Sequence, residues 1–513
     1  MSVGSREYNA ATDLLDRNII EGRAGKAVYI DDRGTCTYTE LVARANRAGN
    51  ALLSLGVAPE QRVMLAMLDT IDFPTMFLGA IKAGIVPVPV NTLLTADDYV
   101  FLLRDSRARV LVVSDALLPK LDKAISEVSG VIVLVASSPL GGPASHHRLL
   151  ADVLATASEA LEPARTTPDD VAFWLYSSGS TGKPKGAVHL HSHLMVTADL
   201  YARAVLGIRE NDVVYSAAKL FFAYGLGNAL TFPLAVGATA VLSAERVTPT
   251  VVSRVMREHS PTIFCGVPTL FAALLADASF AVSSALRVST SAGEALPAHV
   301  GTRWHERFGS HILDGIGSTE MLHIFLSNRP DDIRYGTSGK AVAGYELKVV
   351  GDDGELAAAG EEGVLWVHGP TACAGYWNDR ERSLATFHGP WTRTGDRYVR
   401  DEAGYYTYSG RADDMLKVGG IWVSPFEVES ALTSHDAVLE AAVIGDADGD
   451  GLIKPKAFVV LKDPKLASEA LSAELKAHVK AKLAPYKYPR WVEFIAEVPK
   501  TATGKIQRFK LRG

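Results

Sequence analysis

Residues Tyr176 to Gly186 read YSSGSTGKPKG. The stretch packs three serines, one threonine, three glycines and two lysines into eleven residues. Asp170 to Tyr176, DVAFWLY, is apolar and rich in strand formers, and GAVHL at Gly186 to Leu190 is a second short strand. A polar, glycine-rich loop between two strands can turn several backbone N–H groups toward one point, which makes an anion nest. Ser177, Ser178, Ser180 and Thr181 add hydroxyl donors, Gly179 and Gly182 add backbone freedom, and Lys183 and Lys185 add positive charge. The ligand that suits this set is a polyphosphate. The loop is not a Walker A motif, which has four residues between its first glycine and Gly-Lys. Here two separate Gly179 from Gly182-Lys183, and a strand follows.

At 513 residues the chain can bury more than one core. With 48% hydrophobic and 21% charged residues it reads as a soluble globular protein, and a net charge of −6 gives no electrostatic case for binding nucleic acid. Cys36, Cys265 and Cys373 are far apart without CxxC spacing, which argues against a disulfide framework or zinc site and fits a reducing cytoplasm. No signal region opens the chain. The apolar run from Met64 to Val90 is interrupted by Asp69, Asp72 and Lys82, so it does not read as a membrane span.

Up to about residue 170 helical and strand patterns alternate: a helix at Tyr38–Leu55, a strand at Arg62–Leu68, a helix at Phe73–Ala83, and strands at Val110–Val113 and Val131–Val135. Ser137 to Arg165 is rich in Ala, Ser and Pro and reads as a surface excursion. From 186 to about 330 the alternation resumes, with strands expected at Val213–Ser216, Ala240–Leu242, Thr262–Cys265 and Val288–Thr290. Between 331 and 410 short strands with glycine turns (Glu346–Val350, Gly363–Val367, Tyr405–Tyr408) predict a small β-rich subdomain. Beyond it Ser424-Pro-Phe-Glu427 reads as a capping box, and Leu471, Leu475, Val479 and Leu483 line one helical face of a compact α+β unit.

A second polar cluster, Asp314-Gly-Ile-Gly-Ser-Thr-Glu320, follows apolar residues and so falls at a strand end, where α/β sheets bind ligands. Gly315 and Gly317 allow a flat ligand close approach, Thr319 can bond a phosphate oxygen, and Glu320 can hold Mg²⁺, a hard cation. In Ala217 to Asn228, Phe221, Phe222 and Tyr224 can wall a flat slot around Ala223, and Gly225 and Gly227 keep it shallow; His323 adds a further ring. His189, His191 and His193 alternate, but with no carboxylate or cysteine partner nearby they read as surface or helix-start residues rather than a zinc site. Asp446 to Gly451 begins like a calcium loop, yet its twelfth position is Ala457 rather than Glu, so it reads as a turn.

Together the phosphate loop, the Thr-Glu cluster, the pair Thr394-Gly-Asp396 and Gly410-Arg411, and the terminal Pro499-Lys-Thr-Ala-Thr-Gly-Lys505 resemble the adenylate-forming superfamily of acyl- and aryl-CoA synthetases, adenylation domains and luciferases. The resemblance covers essentially the whole chain and is strongest to benzoate–CoA ligases. It implies a large N-terminal domain of layered α/β subdomains (1–412, with the β-rich part at 331–410). A small mobile α+β domain (413–513) would be hinged at Asp413. It further implies that Lys505, Thr319 and Glu320 are catalytic and that Glu320 carries the metal. Gly293, Glu294, Asp314 and Gly315 would lie on the adenine side, Asp396 on the ribose hydroxyls with Arg411 beside it, and Lys417, Gly419 and Gly420 on the path of coenzyme A. The acid would meet Phe222, Ala223, Tyr224, Gly225, Gly317 and His323.

The expected function is ATP- and Mg²⁺-dependent ligation of a small aromatic acid to coenzyme A, with benzoate first and hydroxy- or aminobenzoates next. The expected setting is the cytoplasm, with no nucleic acid or membrane partner. A homodimer and a lysine acetyltransferase or deacetylase acting on Lys505 are admitted as further partners. An adenylation domain loading a carrier protein is the competing reading; the chain stops eight residues past Lys505, and no Asp or Glu lies between Ala217 and Asn228 to pair a substrate amino group. A silent binding homologue is opposed by intact Lys505, Glu320, Asp396 and Arg411.

Overall fold

The computed structural model describes residues 6–177, 184–411, 414–418, 421–448, 452–483, 487–500 and 506–511. Its largest sheet is built on parallel strands Thr239–Val241, Val213–Ser216, Ile263–Gly266, Val288–Ser291 and His311–Gly317, in that spatial order. Most are short and buried on both faces, as expected where helices cover a parallel sheet. Helix Pro249–His259 starts on the hydroxyl of Thr248 with proline in its first turn, and it turns Val251, Val252, Val255 and Met256 inward. Helix Ala298–Phe308 does the same with Val300 and Trp304.

Two features of this sheet were not legible beforehand. The N-terminal hairpin Ala27–Asp31/Gly34–Thr37 extends it, pairing parallel to Thr239–Val241 through Tyr29 and Ala240. At the opposite edge His311–Gly317 runs parallel to Val288–Ser291 up to Asp314, then pairs antiparallel with Ile324–Ser327, which in turn pairs with Lys340–Ala341. The β-rich unit therefore begins at Glu346 rather than at 331, because the strands before it belong to the large sheet.

A second parallel sheet contains Val86–Pro89, Arg62–Ala66, Val110–Ser114, Ile132–Ala136 and Arg148–Leu149. That last strand is exposed and helix Leu150–Ala155 buries only Leu150 and Leu154, so 137–165 runs over the surface as read but carries two short elements of its own. The small β unit gains a ten-residue strand, Trp391–Arg400, that alternates polar side chains and carries no apolar run. It pairs with Glu362–His368 on one side and Tyr406–Arg411 on the other.

Past Asp414 a hairpin, Leu416–Val418/Ile421–Val423, leads to helix Pro425–Thr433, the sheet of Val438–Ala447, Ile453–Leu461 and Trp491–Phe494, and helix Glu469–Lys482. This unit has its own apolar cluster, including Val423, Leu432, Val443, Val459, Leu475 and Val479. Leu471, Leu475 and Val479 face it as the four-residue spacing predicts. Among the described residues no helix is long and apolar enough to cross a membrane.

Candidate active site

Strands Val171–Ser177 and Lys185–Leu190 form an antiparallel hairpin in which Ser177 faces Lys185 and Tyr176 faces Gly186. The two strands read on either side of the quoted loop are the ones the chain adopts. Ser178, Gly179, Ser180, Thr181, Gly182 and Lys183 lie outside the described residues. At the foot of the loop the Ser177 hydroxyl is buried and has no partner among the described residues.

A third extended segment completes the hairpin on its other side. Val188 N–H donates to Gly375 O at 3.0 Å, Ala374 N–H to Val188 O at 2.9 Å, and Trp377 N–H to Gly186 O at 2.8 Å. This places Tyr376 across from Ala187. Lys185 Nζ then donates to the Tyr376 hydroxyl at 2.6 Å, and that hydroxyl donates to Glu320 Oε1 at 2.7 Å. Lys185 itself stands 3.2 Å from the same carboxylate oxygen. Burial pushes the Glu320 carboxyl up, but the Lys185 ammonium and then the Tyr376 hydroxyl outweigh it, leaving Glu320 below the usual carboxylate range and ionised at neutral pH.

Glu320 and Thr319 sit in the tight turn that joins His311–Gly317 to Ile324–Ser327, with Leu322 at φ 65°. Backbone contacts hold that turn: Cys373 N–H donates to Glu320 O at 2.8 Å and the Thr371 hydroxyl to Met321 O at 2.8 Å. His189 Nε2 lies 2.8 Å from Thr319 O. The histidine triplet is therefore not at the surface: His189, His191 and His193 are at most 2% exposed. His189 is buried because its strand is covered from both sides, and His191 and His193 because the helix they open turns them inward. His191 opens helix His191–Thr197, and its Nδ1 accepts from Ala10 N–H at 3.1 Å. Burial pushes all three imidazoles down, to about 3 for His189 and about 4 for His191 and His193.

Ser291 pairs in register with Asp314 at the carboxyl ends of their strands. Gly293 follows at φ 94°, a left-handed conformation suited to glycine, with Glu294 next to it ahead of helix Ala298–Phe308. Asp314 is 3% exposed and burial raises its carboxyl well above the usual range. Asp396 and Arg411 are cross-strand partners in the β-rich unit, with Arg411 Nη1 3.0 Å from Asp396 Oδ1. Burial and then the Asp396 charge raise the Tyr398 hydroxyl, which lies 3.2 Å from the Ser338 hydroxyl.

The slot residues also converge. Tyr224, in the short helix Ala223–Leu226 that starts after Phe222, hydrogen-bonds Thr290 through its hydroxyl, and its carbonyl accepts from His323 Nε2 at 3.4 Å. The His323 ring is boxed by Tyr201, Tyr224 and Phe232 at centroid distances of 5.2, 5.6 and 4.5 Å. Its Nδ1 is buried without a partner, and burial pushes the imidazole down to about 3, so the ring is neutral. The sequence reading sets Gly317 beside a flat ligand and uses Gly225 to keep the slot shallow; in the structure the protein itself fills the space their side chains would take. A Cβ on Gly317 would lie 2.8 Å from Ile324 N, and one on Gly225 2.5 Å from Ala218 O.

Asp413, Gly419, Gly420 and Lys505 lie outside the described residues, and Lys417 is placed only by its position in Leu416–Val418. Sequence reading missed Tyr376 altogether and named Lys185 only as loop charge; Lys185 stood within the quoted motif, whereas nothing local marks Tyr376. Among the described residues no three His, Cys, Asp or Glu side chains are grouped to hold a metal. A cation here would rest on Glu320 plus phosphate oxygens of the ligand, an arrangement that suits Mg²⁺.

The AMP-binding enzyme family matches residues 16–377, and the AMP-binding enzyme C-terminal domain matches residues 427–505. Over 509 residues the chain is 61% identical to a benzoate–CoA ligase of Thauera aromatica, covering 98% of this chain and 96% of that one. It is 51% identical over 511 residues to a 4-hydroxybenzoate–CoA/benzoate–CoA ligase of Rhodopseudomonas palustris, covering 99% and 94%. A crystal structure of a benzoate CoA ligase from Burkholderia xenovorans LB400 superposes with a TM-score of 0.92 at 53% identity, covering 99% of this chain and all of that one.

Proposed function

The chain belongs to the adenylate-forming AMP-binding enzymes and is an AMP-forming aryl-acid–CoA ligase, and on that premise we propose that the acid it activates is benzoate. The observation that carries the choice is the compact aromatic box of Tyr201, Tyr224 and Phe232 around a neutral His323, next to Phe222 and Ala223. Among the described residues the box holds no charged side chain, so it gives no cation for a second carboxylate and no anion for an amino group.

Benzoate is already ionised at neutral pH, so its attack on the α-phosphorus of ATP needs no general base. A carboxylate oxygen bonds to that phosphorus, the bond to the β-phosphate oxygen breaks, and pyrophosphate leaves. The barrier lies in bringing one anion onto another, and positioned positive charge lowers it. We assign that charge to Lys505, with the Ser177–Lys183 loop holding the phosphates, Thr319 bonding one of their oxygens, and Asp396 with Arg411 on the ribose. Glu320 would hold Mg²⁺, which when bound adds positive charge to the phosphate oxygens. Lys185 and Tyr376 keep the Glu320 carboxylate ionised and fixed. In the second step the sulfur of coenzyme A attacks the acyl carbon of benzoyl-AMP, the carbon–oxygen bond to AMP breaks, and the thiol proton goes to solvent. Rotation of residues 413–513 about Asp413 would withdraw Lys505 and present Lys417, Gly419 and Gly420 to coenzyme A; the separate apolar cluster of that unit supports its moving as a body.

A hydroxybenzoate is the second reading, favoured by the unpartnered His323 Nδ1, which a ring hydroxyl could use as an acceptor. The test is AMP release with ATP and Mg²⁺, with and without coenzyme A, across benzoate, the three hydroxybenzoates, 2-aminobenzoate, cyclohexanecarboxylate and a fatty acid. Fast, CoA-dependent turnover with benzoate is expected. Preference for cyclohexanecarboxylate or the fatty acid would overturn the aromatic reading, and pyrophosphate release that coenzyme A does not accelerate would point to a carrier protein.

A further inference from the structure

Lys185 and His189 are four residues apart on one strand, so their side chains share a face. They grip the two halves of one dipeptide. Lys185 takes the side chain of Glu320, 3.2 Å from Oε1, and His189 takes the backbone of Thr319, 2.8 Å from its carbonyl oxygen. Between them Ala187 is fully buried against the Tyr376 segment, so the strand cannot shift along the turn without breaking both grips. A carbonyl only accepts, so His189 Nε2 carries the proton. In a neutral ring that leaves Nδ1 as an acceptor, and it faces His193 Nδ1 at 3.1 Å. His193 Nδ1 accepts from Leu190 N–H at 3.3 Å, so it does not donate to His189, and Phe173 stacks on the His189 ring at 5.1 Å.

We propose that His189 is a positioning residue for adenylation: through its Nε2–H on the Thr319 carbonyl it fixes the Thr319–Glu320 peptide, so that the strand carrying Lys185 holds the metal-holding turn in register. The inference rests on the reading of Glu320 above. Like the outer partners of metal ligands in general, His189 acts through the group it orients. The acyl-transfer step, which does not call on Glu320 to hold the metal, is spared.

The test uses the full-length enzyme and separates the two half-reactions: benzoate-dependent exchange of pyrophosphate into ATP, and conversion of supplied benzoyl-AMP by coenzyme A. His189→Phe keeps a flat ring but removes the donor, and exchange is expected to fall roughly ten- to a hundredfold with a higher Mg²⁺ requirement. Conversion of benzoyl-AMP should stay near the wild-type rate. His189→Gln retains an N–H donor and should recover most of the loss. Parallel loss in both half-reactions, equal loss in the two variants, or intact exchange in His189→Phe would each overturn the proposal. Nitrogen NMR of the wild-type imidazoles provides a check independent of any variant. His189 should be protonated at Nε2 at neutral pH, and protonation at Nδ1 alone would overturn it. Glu320→Gln serves as the control: if it exchanges pyrophosphate normally, the reading of Glu320 fails, whatever His189 does.

Discussion

Replacing Tyr376 by Phe removes one oxygen from the centre of the Lys185–Tyr376–Glu320 contact and little else. The ring keeps its packing on Phe387, at a centroid distance of 5.3 Å, and its place under the Lys185 ammonium at 4.2 Å. The lost hydroxyl is the donor to Glu320 Oε1 at 2.7 Å and the acceptor of Lys185 Nζ at 2.6 Å. A hydrogen bond to a charged partner contributes about 1.5–3 kcal/mol. If that energy serves to hold the carboxylate in the orientation adenylation needs, the loss converts to roughly 10- to 150-fold in the first half-reaction, at about 1.36 kcal/mol per tenfold. The assay is benzoate-dependent pyrophosphate–ATP exchange as a function of Mg²⁺, with conversion of supplied benzoyl-AMP as the internal reference. The reference step should be unchanged, and raising Mg²⁺ should restore part of the exchange rate. Exchange at the wild-type rate at every Mg²⁺ concentration would refute the assignment of Glu320 to the metal-holding role and of Tyr376 to its support.

Changing Lys505 to Gln, or acetylating it, removes a charge from the attacked phosphate. Exchange should fall by about 10²–10³ while supplied benzoyl-AMP is still converted, and equal loss in both steps would count against the role. Acid should destabilise the fold sharply through His189, His191, His193 and His323, which burial holds at about 3, 4, 4 and 3. Their folded values lie below the unfolded value near 6.5, so the unfolded chain binds the extra protons, and stability is full above pH 6.5 and is lost as pH falls from there toward 4. At pH 5.5 each imidazole costs about 1.4 kcal/mol and the four together on the order of 5. Urea unfolding at pH 7.5 and 5.5 measures this, and coincident midpoints would disprove it. Finally, a Cβ at Gly227 would lie 2.7 Å from His323 Nε2 and 3.0 Å from Phe232 Cζ. Gly227→Ala should therefore displace the boxed His323 ring, at a strain of about 1–3 kcal/mol, and raise the KM for benzoate more than that for ATP. Equal effects on the two KM values would contradict the placement of His323 at the acid.

What the sequence disclosed and what it hid follow from the range of the contacts involved. A glycine- and hydroxyl-rich loop between two strands, or a Thr-Glu pair just past an apolar run, is written in consecutive residues, and the hairpin Val171–Ser177/Lys185–Leu190 and the turn after Gly317 appear where those residues place them. The parts that hold these motifs in place come from far along the chain. Tyr376 reaches Lys185 across 191 residues, and His189 reaches Thr319 across 130. No period or spacing encodes such a meeting. The same limit explains the histidines. Alternation marked them as leaving a strand and starting a helix, but the groups that meet them inside the protein, Thr319 at His189 and Ala10 at His191, come from far along the chain. It also explains the boundary at 331, because nothing local shows that Ile324–Ser327 and Lys340–Ala341 pair with the large sheet. In this chain the groups assigned to the ligand are local motifs and the groups that fix their geometry are not. Support residues such as Tyr376 and His189 are therefore where mutation should separate the two half-reactions without touching the substrates.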